Sequence, residues 1–152
     1  MKLSNHLPQI VIDSREQRPY DFPGAIRKAL PAGDYSLEGC ENKFAIERKS
    51  LPDWINTLLR GKRRFGRELE KLKTYDFACI VVESTVEDIL AGDYKSELNP
   101  KSLLGLTVAI MHGFHPVHVI LGGDRPHSFE LVKTMLELAR VKYKGEQDGT
   151  GY

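Results

Sequence analysis

Cysteine is nearly absent from this sequence: its 152 residues hold only Cys40 and Cys79. Neither belongs to a Cys-x-x-Cys pair, so free thiols are expected rather than a disulfide framework. Long apolar runs are missing as well. No stretch approaches the ~20 residues that cross a bilayer, and neither end carries the apolar core of a secretory signal. Export and membrane insertion are therefore disfavoured, and the expectation is a cytoplasmic protein with no membrane partner. Charge of one sign is lacking too: 22 Lys and Arg stand against 21 Asp and Glu, a formal net charge of +1. Such a balance neither demands nor forbids a nucleic-acid partner, because a neutral total can hide a polarised surface.

What is present suffices for one compact domain. The chain is 41% hydrophobic, and a domain of about 150 residues hides roughly 68 to 70% of its unfolded surface. Between Arg60 and Lys73 the basic residues Arg60, Lys62, Arg63, Arg64, Arg67, Lys71 and Lys73 face only Glu68 and Glu70. This is the best phosphate-binding segment, and Arg60, Lys62, Arg63, Arg64, Arg67 and Lys71 are its candidate contacts. A solvated helix face is the alternative. The like-charged i,i+4 pair Arg67 and Lys71 repels internally and favours an external anion.

Patterning gives alternating strands and helices. A strand is expected at 9–13, then a loop through Arg18-Pro19 to Pro23-Gly24, and a short strand at 26–30. The run Gly39-Cys40-Glu41-Asn42 reads as a four-residue hairpin loop between Tyr35–Glu38 and Lys43–Ile46. Ser50 can cap a helix with Pro52 in its first turn, running through Leu59 to a stop at Gly61. A second helix at 63–75 buries Phe65, Leu69 and Leu72. The apolar run 77–84 reads as a central strand covered on both faces. Thr85-Val86-Glu87-Asp88 opens a short helix, Asn99-Pro100 a longer one through Met111; a strand at 117–121 and a helix at 126–143 complete the series. Such alternation favours an α/β fold: a three-layer α/β/α sandwich around a central mixed sheet. Residues 145–152 read as a flexible polar tail, leaving 1–144 as the domain.

The hairpin carries the chemistry. Its register pairs residues whose numbers sum to 81: Leu37 with Phe44, Tyr35 with Ile46, Glu38 with Lys43 and, at the open end, Asp34 with Glu47. Opposed Cβ atoms lie about 4.5 to 5.5 Å apart, where like charges destabilise the pair. A hard divalent cation, Mg2+ or Mn2+, would resolve that repulsion with oxygen ligands at about 2.1 Å. Alternation puts Lys49 on the face of Glu47 and Arg48 on the other. Two carboxylates, a cation and a lysine would suit phosphodiester hydrolysis, the metal polarising the phosphoryl oxygen and the lysine orienting or deprotonating a water. Ordinary solvated charges at a hairpin end are the alternative. Ile10-Val11-Ile12, ending abruptly in Asp13-Ser14-Arg15-Glu16, adds polar residues at the end of a buried strand, where sites often lie.

These segments carry a resemblance. Val11-Ile12-Asp13-Ser14-Arg15-Glu16, Ala32-Gly33-Asp34-Tyr35 and Glu47-Arg48-Lys49-Ser50-Leu51-Pro52-Asp53 resemble the XPF-type nuclease domain, whose signature is G-D, a spacer, then E-R-K-x-x-x-D. The likeness covers roughly residues 9 to 144. It implies a restriction-endonuclease-like fold and a divalent-metal-dependent DNA endonuclease acting on branched or flap DNA in repair or recombination. It also implies metal ligation by Asp34, Glu47, Asp13 and the backbone carbonyl of Arg48. Lys49 would assist the attacking water, Arg15 and Arg48 would support the site or the scissile phosphate, and Asp53 would help hold it together. Glu16 is a weaker candidate. Family members usually continue into a tandem helix-hairpin-helix domain, which nothing up to Tyr152 matches, so the preferred DNA structure does not carry over. No small-molecule cofactor is expected. A catalytically silent nuclease-fold subunit for DNA binding or dimerisation is the alternative.

Three further features stay open. Glu83, ending the central strand, either approaches the site or is a capping or salt-bridging carboxylate at the strand end. His112, His115 and His118 are spaced by three, with His127 a little further on, but their expected elements differ, so a zinc site is disfavoured. Leu103, Leu104, Leu106, Ile110 and Met111, with Leu131, Val132, Met135, Leu136 and Leu138, cover more than one helical face. They suggest a homodimer through the helices near 101–112 and 128–143, or else a deeply buried helix.

Overall fold

A computed structural model describes residues 6–147 and 149. Among them, six strands form one sheet: β1 (Ile10–Asp13), β2 (Ile26–Lys28), β3 (Tyr35–Leu37), β4 (Phe44–Ser50), β5 (Phe77–Glu83) and β6 (His118–Leu121). Their order is β2-β1-β3-β4-β5-β6. The sheet is mixed: β1 runs parallel to β2, β3 antiparallel to both β1 and β4, and β4, β5 and β6 mutually parallel. The hairpin register is as expected, with Tyr35 paired to Ile46. Cys40 lies in its turn, yet both cysteines are buried free thiols.

The period-two alternation of β4 and β5 divides the core into two layers. Ala45, Ala78, Ile80 and Val82 face one side. There they meet α1 (Leu51–Arg60), α2 (Lys62–Leu72), α3 (Val86–Ala91) and α4 (Pro100–Gly113) through Trp54, Phe65, Ile89 and Leu103. Phe44, Ile46, Cys79 and Val81 face the other side, covered by Val132, Leu136, Ala139 and Tyr143 of α5 (Arg125–Gln147) and by Tyr20 and Phe22. The result is the expected three-layer α/β/α sandwich. Trp54 is fully buried, and its indole N–H donates to Thr107 Oγ1 at 3.0 Å, so its polar edge adds no unsatisfied group.

Helix starts follow their capping residues. Ser50 Oγ accepts from Asp53 N–H, Thr85 Oγ1 from Asp88 N–H and Asn99 Oδ1 from Ser102 N–H. Three boundaries differ from expectation. β2 stops at Lys28 because Leu30 turns into the core and gives its N–H to Asp13 Oδ1 at 2.8 Å. α2 stops at Leu72, since Thr74 and Tyr75 donate to the carbonyls three residues back and tighten the chain into a turn. α5 continues to Gln147, anchored late by Tyr143 packed edge-on against Phe44. The first residues read as tail are therefore helical; 148 and 150–152 lie outside the described residues.

Candidate active site

A cleft of about 680 Å³ opens between the Asp34 end of the hairpin and helices α1 and α2. Asp34, Glu47, Lys49, Asp13 and Arg15 line it from the sheet; Arg64, Arg67, Glu68 and Lys71 line it from α2. Backbone geometry clamps Asp34. Its N–H donates to the Ile46 carbonyl at 2.8 Å, and its own carbonyl accepts from Asp13 N–H at 2.7 Å. Its Oδ2 accepts from Arg48 N–H, also at 2.7 Å. The preceding Gly33 has φ +80, and a Cβ there would stand 3.0 Å from the Ala45 Cβ and 3.2 Å from the Ile46 carbonyl oxygen. Only glycine tolerates both that backbone and that closeness.

Electrostatics at the hairpin end favour a compensating positive charge. Burial raises the Asp34 carboxyl to about 7, the charge of Glu16 adds to the rise, and the Arg48 N–H and Lys49 oppose it. Glu47 is pushed well above the usual range, first by burial and then by the charges of Asp34 and Glu68. Lys49 Nζ stands 3.5 Å from Glu47 Oε1 and 5.5 Å from the Phe65 ring centroid. One lysine leaves the paired acids under-compensated, and their all-oxygen donor set fits a hard divalent cation. Among the described residues no three His, Cys, Asp or Glu side chains close into a ready-made cation cage.

Asp13 sits in the same cleft in a different state. Its Oδ2 accepts from Arg15 Nε and its Oδ1 from Arg15 Nη2, both at 3.0 Å, and Oδ1 also takes the Leu30 N–H. Burial works to raise this carboxyl, but the Arg15 hydrogen bonds and charge, with the Leu30 N–H, hold it below its ordinary value. Arg15 also donates to the Leu30 carbonyl at 2.8 Å, while two thirds of its side chain stays exposed.

Residues expected to converge do not all do so. The Arg48 guanidinium lies on the opposite face of β4, between Glu83 Oε1 at 2.7 Å and the two Glu16 oxygens at 3.3 Å, and near the Tyr20 ring. Glu83 also accepts from the Tyr20 hydroxyl at 2.7 Å. Glu16 and Glu83 therefore serve a buried ion network behind the site. Asp53 is exposed in the first turn of α1, away from the cleft. Of the basic segment, Arg64, Arg67 and Lys71 line the cleft, whereas Arg60, Lys62 and Arg63 are exposed elsewhere. His118 stacks on Phe77 and His127 pairs with Asp124, on separate elements.

Glu68 is the residue that sequence reading passed over. It counted only as a stray acid in a basic helix, yet it lines the cleft and accepts the Gly33 N–H at 3.1 Å. The signal was its place three residues after Phe65 and four before Leu72, on the edge of the buried stripe.

Comparison with known proteins gives the fold and the family. No curated protein matches the chain. The XPF structure from Aeropyrum pernix superposes with a TM-score of 0.66 at 21% identity, covering 93% of this chain and 69% of that one. XPF from Aeropyrum pernix in complex with DNA gives a TM-score of 0.65 at 22% identity, covering 87% and 64%. At these identities the likeness is one of fold, the restriction-endonuclease-like arrangement. The family model of the ERCC4 domain matches residues 12–135, most of the chain and every acidic residue lining the cleft, and on that match the chain belongs to the ERCC4 domain family.

Proposed function

We propose that the chain is a divalent-metal-dependent DNA endonuclease, with its nuclease domain over residues 1–144, that hydrolyses phosphodiester bonds in branched or flap DNA. One observation carries this reading. Two carboxylates that repel one another, partly buried Asp34 and buried Glu47, share a cleft with three basic side chains of α2, Arg64, Arg67 and Lys71. The acids call for a cation, and the basic rim suits a polyanion. A fold neighbour, XPF from Aeropyrum pernix, is known in complex with DNA, which supports the same choice of partner.

In this reading Asp34, Glu47 and the Arg48 backbone carbonyl hold Mg2+ or Mn2+. The bound ion would supply Lewis acidity at the phosphoryl oxygen and a water of lowered pKa. Lys49, 3.5 Å from Glu47, orients or deprotonates the attacking water. Arg15, its guanidinium held by Asp13 through Nε and Nη2, has its Nη1 left to offer to the scissile phosphate. Asp13 acts chiefly through Arg15, since both its oxygens already accept hydrogen bonds. Arg48 acts through its main chain, and Asp53 through the start of α1, where a carboxylate complements the helix dipole.

We also propose a homodimer. β6 is an open sheet edge, and Val108 of α4 with Leu138 and Val141 of α5 are exposed by half or more. The functional test is incubation of the protein with labelled duplex, single-stranded, flap, fork and four-way-junction DNA, with Mg2+, Mn2+ or chelator. Metal-dependent cleavage strongest on flap or fork substrates is expected. Binding without cleavage under any of these conditions would replace the proposal with a silent DNA-binding subunit.

A further inference from the structure

Asp34 is clamped by its bonds to Ile46, Asp13 and Arg48, and the turn before it carries a tie of its own. Pro31 to Gly33 is a short irregular stretch between buried Leu30 and β3, and Gly33 occupies a left-handed backbone conformation. The Asp34 N–H is spent on the hairpin, donating to Ile46. The Gly33 N–H is instead taken by Glu68 Oε1 at 3.1 Å, 35 residues along the chain. A second bond parallels it: Lys71 Nζ donates to the Pro31 carbonyl at 3.2 Å. Glu68 and Lys71 are three apart and therefore neighbours on one face of α2. Arg64 and Arg67 line the same cleft from that helix.

We infer that Glu68 is a positioning residue that fastens the Gly33-Asp34 turn to helix α2, so that the carboxylate proposed to hold the metal and the helix proposed to track DNA move as one body. The inference rests on the metal and DNA reading given above and assigns that site a residue outside its signature. A stripped-down view of Glu68 as a surface acid does not account for its aim. The side chain is partly buried, it stands against the Glu47 carboxyl and raises its pKa, and no ion pair joins it to Arg64, Arg67 or Lys71 among the described residues. Its acceptor role requires an oxygen at that place and not a negative charge. Gln retains such an oxygen, whereas Ala removes it.

The distinction makes the experiment. Amide hydrogen exchange of the whole chain, read at Gly33, and Mn2+ affinity, read by calorimetry without DNA, are compared for wild type, Glu68→Gln and Glu68→Ala. Removing a hydrogen bond to a charged acceptor should speed Gly33 exchange about tenfold in Glu68→Ala. Mn2+ should bind about tenfold more weakly in that variant, through the loosened Asp34. Glu68→Gln should stay within about threefold of wild type on both readouts. Unchanged Gly33 exchange in Glu68→Ala overturns the inference, as does a Gln variant as impaired as the Ala variant, which would make the charge the operative feature. Wild-type protein that binds no Mn2+ overturns the metal reading instead, and the Gly33 exchange comparison separates the two failures. Near-ultraviolet dichroism from buried Trp54 confirms that the variants compared are folded.

Discussion

The main-chain N–H of Arg48 donates to Asp34 Oδ2 at 2.7 Å, while the guanidinium of the same residue lies on the far face of the sheet, held by Glu83 at 2.7 Å. One residue thus serves the cleft with its backbone and the core behind it with its side chain. Burial works against the Arg48 charge, but the carboxylates of Glu16 and Glu83 more than offset it and raise its pKa. The strand that carries Glu47 and Lys49 is thereby pinned from behind.

Asp34→Asn and Glu47→Gln should each abolish cleavage while leaving the fold intact. Loss of a metal-binding carboxylate removes several kcal/mol of transition-state stabilisation, about a thousandfold or more in rate. Single-turnover cleavage in Mg2+ measures this, and wild-type rates in both variants would sink the assignment.

Stability of the metal-free protein should fall as pH rises from about 4 through about 7. Asp34 is raised in the folded state from 3.8 to about 7, so over that window the native chain holds a proton the unfolded chain has released, and raising the pH withdraws the advantage. Thermal melts across pH should show a shallower fall for Asp34→Asn than for wild type. Adding Mg2+ should restore stability chiefly above pH 7, because the cation binds the ionised form. Equal slopes for the two proteins would contradict the placement of Asp34.

Neutralising Arg64, Arg67 and Lys71 together should weaken DNA binding and flatten its salt dependence, by about one unit of slope for each phosphate that the protein no longer neutralises. A matched triple change at Arg60, Lys62 and Arg63, which do not line the cleft, should have the smaller effect. Binding titrations over a salt series decide between them; identical slopes for the two triples would show that the cleft is not the DNA path.

Glu83→Ala should destabilise the fold by about 3 to 5 kcal/mol, since it leaves a buried guanidinium with one partner fewer. Urea unfolding measures the loss. Mn2+ affinity of the folded variant should stay close to wild type, because Glu83 lies across the sheet from Asp34 and Glu47. Stability within about 0.5 kcal/mol of wild type would mean the network is dispensable.

Leu138→Glu with Val141→Glu should convert a homodimer to monomer at micromolar concentration without lowering the melting temperature of the isolated fold, both residues being exposed in one chain. Sedimentation equilibrium reads the mass. A wild-type protein that is already monomeric removes the dimer, and the apolar faces of α4 and α5 then await another partner.

Local chemistry made much of this molecule readable in advance. Ser50, Thr85 and Asn99 cap the helices they announce, because a cap acts over three residues. The Tyr35 and Ile46 pairing followed from turn length alone, and the strict alternation of β4 correctly separated Glu47 and Lys49 from Arg48. Leu30 broke the expected end of β2 because its N–H found a side-chain acceptor seventeen residues back, a bond no local pattern encodes.

The sequence by itself determined the strand and helix series, the two faces of the central strands and the pairing of Tyr35 with Ile46, since these depend on period, capping and turn geometry within a few residues. Tertiary structure alone decided which polar side chains share a cleft. It turned Glu16 and Glu83 to the buried network, left Asp53 in solvent, split the basic helix into Arg64, Arg67 and Lys71 on the rim and the rest outside, and brought Glu68 to Gly33. Those outcomes depend on how α2 docks across the sheet and on where long side chains find partners far along the chain. Burial then sets the charge state of each carboxyl, a property of its surroundings and not of its residue type.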